Sequence, residues 1–382
     1  MKKLIALSVI TLASLSAQAE VRINGFANLI GGVITGDDAS YVVNGGLGYD
    51  DKISFSDESL FAIQVSGDIN DKMTATAQLV ARGENDYKAE FEWAYITYKA
   101  TDKVSISAGR FRLPLFKYSA SKDVGYSYHW ITAPGSVYDV AFNNLDGIRV
   151  DYSTYVGDWE YNLQGALGTY SSEIGTGNVT GDNVALFTAE AAYEWFKVRA
   201  VAGRGKNTFV SSDLDAALAG LTGSGVSQLV DLADDLSITN DTGVFLGFGI
   251  DIDTFDYFIS AEITSVDIEQ SFSSKDSAVY ITAGARLGNF TPSITYEKLD
   301  GNKDIKFLDK VAALPAPYQP SVTPLVVGLQ QFYMTEYDVV TLGIRYDMDT
   351  NVALKADIRK YSDDMSTESN ATILRFAVNY VF

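Results

Sequence analysis

Towards its C-terminus the chain alternates. Leu374, Phe376, Val378, Tyr380 and Phe382 fall on one side, and Arg375, Ala377 and Asn379 on the other. Successive side chains of a strand point to opposite faces, so this segment is a strand with one uniformly apolar face. The design recurs. Phe61, Ile63 and Val65 alternate with Gln64, Ser66 and Asp68, and Val352, Leu354, Ala356 and Ile358 with Lys355, Asp357 and Arg359. The pattern predicts strands at 21–34, 58–69, 72–83, 88–100, 103–111, 144–156, 158–171, 183–194, 196–208, 242–253, 255–266, 277–288, 289–299, 338–348, 351–361 and 370–382. Most are about twice the five or six residues usual in soluble sheets. A tilted strand crossing a bilayer needs about 9–11 residues.

The connections alternate in length. Asn70-Asp71, Thr101-Asp102, Gly157, Trp195, Thr254 and Asp349-Thr350 are tight joins, rich in turn-forming residues. The connections opposite them are mostly long, at 35–57, 112–143, 172–182, 209–241, 267–276, 300–337 and 362–369. Short turns at one end and long loops at the other mark a transmembrane barrel. Six of the seven prolines fall in two of the long loops. Aromatics such as Trp159, Tyr193, Trp195, Phe255, Phe290 and Tyr346 gather near the short turns, as rings do at a membrane–water interface. Within 209–241, Asp213–Leu221 and Ser227–Leu236 are compatible with short helices.

Met1–Ala19 reads as a secretory signal peptide. Lys2 and Lys3 precede an apolar Leu4–Leu15 stretch, and Ala17-Gln18-Ala19 ends it with small residues. That leaves residues 20–382 as a single barrel domain. The absence of cysteine and the single histidine exclude thiolate zinc sites, disulfides and most zinc catalysis. A net charge of −20 argues against nucleic acid as a partner. No nucleophile-elbow, P-loop or zinc-protease motif is present, so neither an enzyme nor a cofactor is expected.

The amphipathic strands, the signal peptide, the aromatic strand ending at Phe382 and the long third connection resemble the Gram-negative outer-membrane porins. The run that leads into this connection at 112–143, Gly109-Arg-Phe-Arg-Leu-Pro114, is similar in small part to an element of phosphate-selective porins. The Pro-Glu-Phe-Gly-Gly motif of the enterobacterial third loop is absent. The resemblance implies an all-β, sixteen-stranded antiparallel barrel in the outer membrane, with an inward-folded third loop as its constriction. It further implies a homotrimer and a role for Phe382 as a signal to the barrel-assembly machinery. The expected function is passive diffusion of small hydrophilic solutes and ions. The alternative is a substrate-specific channel for an anion, phosphate or a sugar.

Sixteen strands leave an aqueous lumen, where charged side chains are tolerated. The predicted basic wall is Arg22, Arg82, Arg345, Lys355, Arg359 and Arg375, on segments that become neighbours when the barrel closes. Facing acids on the loop, it would impose a transverse field; the bland alternative is local pairing, for example with Asp357. The constriction-loop candidates are Arg112, Lys117, Lys122, Asp123, Tyr128, His129 and Asp139. The loop aromatics, Tyr118, Tyr126, Tyr128, Trp130 and Tyr138, are expected to pack the loop against the wall rather than to guide sugars. His129 is expected to be a hydrogen-bonded loop residue rather than a pH gate. Asp37, Asp38, Asp50, Asp51, Asp57 and Glu58 are expected on the extracellular side, where divalent cations would bridge them to lipopolysaccharide.

Overall fold

The computed structural model describes residues 20–35, 41–43, 47–174, 177–269, 271–301, 304–365 and 370–382. The expected signal peptide, residues 1–19, lies outside them, as do Asp37 and Asp38. In chain order the strands begin with β1 (Val21–Thr35), a small hairpin of β2 (Tyr41–Val43) and β3 (Leu47–Tyr49), β4 (Leu60–Asn70), β5 (Met73–Arg82) and β6 (Ala89–Lys99). Next come β7 (Val104–Arg112), β8 (Asn144–Val156), β9 (Trp159–Ile174), β10 (Gly177–Tyr193), β11 (Phe196–Ser211) and β12 (Ile238–Asp253). The last are β13 (Tyr257–Ile268), β14 (Asp276–Ala285), β15 (Phe290–Gly301), β16 (Glu336–Asp349), β17 (Val352–Asp363) and β18 (Ala371–Val381). All except β2 and β3 join one closed antiparallel barrel of sixteen strands, in which β1 pairs with both β4 and β18.

Alternation sets the two faces. On β18, Leu374, Phe376 and Val378 are about two-fifths exposed, whereas Arg375, Ala377 and Asn379 are buried. The apolar phase therefore faces outward and the polar phase inward. Among the described residues no helix is long and apolar enough to cross a membrane. The strands span it instead, since closure pairs every backbone group that lipid would leave unsatisfied. Exposed aromatics ring the short-turn end, including Tyr155, Trp195, Phe255, Tyr257 and Phe290. The β1–β18 seam is tight. A Cβ on Gly31 would meet the Phe376 ring at 2.5 Å, and one on Gly25 the Phe382 ring at 2.2 Å. The glycines give those rings a flat surface to cover.

Three expected connections differ. The loop expected at 172–182 is mostly paired strand, because β9 and β10 run on to Ile174↔Gly177. The 209–241 connection contracts around α2 (Ser212–Thr222) and α3 (Ser227–Asp235), near the two helices expected there. The 300–337 connection, expected only as a long loop, holds α4 (Leu308–Ala313) and α5 (Gln319–Tyr333). Pro320 sits at the start of α5, where a missing N–H is harmless; Pro324 lies inside the helix. These helices share an apolar cluster with Leu218, Leu232, Phe272, Val311 and Val326, which closes over the long-loop end of β11–β16.

Candidate functional site

The site grows from the end of β7. Arg112 is the last residue of that strand rather than part of the loop. From Leu113 to Asn143 the chain leaves the barrel wall, includes a short helix α1 (Gly135–Tyr138), and returns at β8. Its hydrogen bonds reach inward-facing groups on strand after strand. Thr188 of β10 donates to the Pro114 carbonyl at 2.9 Å, and Arg199 of β11 donates to the same oxygen. Lys117 Nζ meets Asp251 of β12 at 2.5 Å, and Tyr138 donates to Glu262 of β13 at 2.6 Å. His129 Nε2 is 3.0 Å from Thr282 Oγ1 of β14, and Trp130 Nε1 donates to Thr295 of β15 at 2.8 Å.

Most of the expected basic wall continues this series. Arg345 of β16 donates to the Tyr126 and Tyr128 carbonyls at 2.6 and 2.8 Å. Lys355 of β17 donates to the Gly125 and Trp130 carbonyls. Arg375 of β18 contacts Thr132 at 3.0 Å, Glu58 at 2.8 Å and Asp357 at 2.7 Å. Arg359 pairs with Glu297 at 3.3 Å. Lys355, Arg359 and Arg375 are each under 10% exposed. The correction is physical: Lys355 and Arg375 hold the loop and its neighbours instead of standing in open water, because bare carbonyls and carboxylates buried there need donors. Arg22 is not brought to the site. It pairs with Asp68 at 2.8 Å near the β4–β5 turn.

At the mouth, four charges meet. Arg82 lies 2.7 Å from Glu92 and 3.0 Å from Asp123, and Arg112 lies 2.5 and 2.7 Å from the same two carboxylates. A bulge makes this possible. The β5–β6 register slips at Gln78/Leu79, so neighbours Glu92 and Trp93 are both buried. Burial works to raise the Asp123 carboxyl, but Arg112, Arg82 and Lys122 outweigh it and hold it well below the usual carboxylate range. Lys122 also approaches Asp139, at 3.3 Å. These groups border a polar cavity of about 420 Å³, with Glu58, Glu84, Asn144 and Arg359 on its walls.

The loop aromatics pack, as expected. Tyr128, Trp130 and Tyr138 are buried in one cluster with Phe111, Phe116, Phe245 and Tyr280. His129 is half-buried beside them, and desolvation followed by the nearby Lys355 pushes its pKa well below the ordinary value. Glu58 corrects an expectation. It does not stand free on the extracellular surface but accepts from Arg375 and from the Tyr49 hydroxyl. Sequence reasoning missed this partnership and that of Lys117 with Asp251. Glu58 and Arg375 lie 317 residues apart and Lys117 and Asp251 134, and no local pattern signals either pair.

The Gram-negative porin family model matches residues 6–382. A search of curated proteins finds no match. Among solved structures, Salmonella typhi OmpF in complex with daunomycin is 14% identical, with a TM-score of 0.59 over 95% of this chain and 98% of that one. The outer-membrane channel DcaP of Acinetobacter baumannii is 11% identical, with a TM-score of 0.60 over 95% and 97%. An anion-selective porin from Comamonas acidovorans is 11% identical, with a TM-score of 0.55 over 96% and 100%. A closed barrel with an apolar exterior, matched along almost its whole length by one family, is an outer-membrane barrel, and the chain belongs to the Gram-negative porins.

Proposed function

We propose that the barrel is a water-filled channel for passive diffusion of small hydrophilic solutes and ions, with Leu113–Asn143 as its inward-folded constriction. One observation carries this reading. The loop is bonded to the inward faces of β10–β18 and to Asn28 of β1, and it meets Arg82 of β5 only at the mouth, which leaves most of the inward face of β4–β9 to line a passage. That face is polar, with Gln64, Thr76, Thr97, Arg149, Asp151 and Gln164. The 420 Å³ cavity lies towards the long loops, and a cavity of about 390 Å³ lined by Thr74, Thr97, Ser105, Asp151 and Ser153 lies towards the short turns. At the mouth, Arg82 and Arg112 balance Glu92 and Asp123, so weak ion selectivity is expected. A homotrimer fits the family and a structural neighbour, Vibrio cholerae OmpT, described in trimer form. Planar-bilayer recording under a salt gradient tests all three points. Steps grouped in threes with a small reversal potential support them. Small steps blocked by phosphate or sugar favour the substrate-specific alternative, and silence from folded protein overturns the channel.

A further inference from the structure

A second cavity, of about 360 Å³, lies between the loop's aromatic cluster and the cluster under α2–α5. Its character is opposite to the passage. Val140 and Phe142 of the loop, Leu186 and Phe245 of the wall, and Phe209 and Phe272 from the other cluster line it. On part of the wall three glycines let the side chains of Leu186, Val184 and Asn207 lie flat across the strands. Gly203 and Gly205 occupy the inward phase of β11, and Gly243 of β12 stands opposite Gly205. Asp139, Val140, Ala141 and Tyr170 border both this cavity and the polar vestibule, so the two adjoin. Solutes crossing the mouth therefore pass an apolar side chamber.

Solute passage does not need such a chamber. Water gains little in an apolar concavity of this kind, whereas an apolar molecule gains the full hydrophobic term. The volume falls within the range of small-molecule sites. Its polar groups give the ligand a sign. Asp276 of β14 faces inward directly opposite Val266 of β13. Among the described residues its carboxylate makes no ion pair, and Lys306 Nζ donates to the Ser273 carbonyl at 2.6 Å instead. Asp139, at the vestibule edge, is already paired with Lys122, which leaves Asp276 to set the sign, while Arg204, the cation bordering the cavity, falls on the outward phase of β11.

We propose that this chamber binds aromatic or otherwise flat organic ammonium compounds, the apolar body among Leu186, Phe245, Phe209 and Phe272 and the cation at Asp276. The site deepens the channel reading but is measured apart from it. Equilibrium binding of 1-naphthylmethylamine and its neutral analogue 1-naphthalenemethanol to the folded protein in detergent micelles, against protein-free micelles, is the test. The expected result is saturable binding, with the amine about tenfold tighter than the alcohol. Asp276→Asn brings the amine to the level of the alcohol, and Val266→Trp, which fills the chamber, weakens both. Ala141→Trp fills it from the loop side and serves if Val266→Trp does not fold. Binding no greater than in empty micelles, equal affinity for amine and alcohol, or indifference to both filling variants overturns the proposal. Conductance of the same preparation decides the channel reading separately.

Discussion

At the scale of single residues, the mouth is an arrangement of charges that cannot be changed one at a time. Asp123→Asn leaves the Arg82 and Arg112 guanidiniums facing one carboxylate instead of two. Breaking a buried pair this way costs about 3 kcal/mol. The expected outcome is a lower urea midpoint together with a shift of reversal potential towards anion preference. Acid does the same job reversibly. The Asp123 carboxyl is depressed in the fold, so its contribution is complete above the unfolded value of about 4 and is lost as pH falls through its lower folded value. Single-channel conductance should hold steady from pH 7 to about 4 and change only below that. His129 acts over a different window. Its folded pKa is depressed by burial, so the unfolded chain takes up a proton below about 6.5 that the fold refuses. Stability should fall from pH 7 to 5 by at most about 1.4 kcal/mol per pH unit, and His129→Gln should flatten that slope in urea titrations. Residue types at the site were legible in the sequence: Asp123, Lys122 and Arg112 are charged groups in or beside the connection expected to form the constriction. Their partners were not. Lys355 reads the same on paper whether it faces water or two loop carbonyls, because the difference lies in what packs above it.

At the scale of elements, period-two alternation located every barrel strand, because a strand between lipid and water has no freedom to blur its pattern. The exceptions are instructive. The β6 bulge breaks the alternation at Glu92 and Trp93, and the break is what brings Glu92 to the arginines. Helices α4 and α5 were invisible because their stability comes from packing on Phe272 and Leu232 rather than from helical propensity. Gly109 is an element-level requirement. It holds φ at +128°, and a Cβ there would sit 2.4 Å from the Ala94 carbonyl oxygen. Gly109→Ala should cost about 1–3 kcal/mol of strain and reduce the fraction of heat-modifiable, folded barrel on electrophoresis. Lys355→Met should leave the Gly125 and Trp130 carbonyls without their donor, about 1–3 kcal/mol of lost satisfaction, and give noisier and larger current steps as the loop loosens.

At the scale of the whole molecule, the charge of −20 says less than its distribution. Arg199, Arg345, Lys355 and Arg375 anchor the loop while Arg82 and Arg112 stand at the mouth, so the overall acidity does not predict selectivity there. Replacing residues 117–138 by a short glycine-serine linker should raise conductance several-fold and leave the barrel closed, which heat-modifiability and bilayer recording check together. The barrel's closure has one more consequence. Phe26 pairs with Val381 and Thr35 with Thr372, so the seam joins segments separated by nearly the entire chain. No subset of hairpins can seal itself, and bringing β1 to β18 is the most expensive loop closure the chain can make. Assembly is therefore a ring problem rather than a ladder problem. The sheet keeps two raw edges until its first and final strands meet, and a chain cut short before β18 yields no smaller pore, only an open sheet with nowhere to hide its edge.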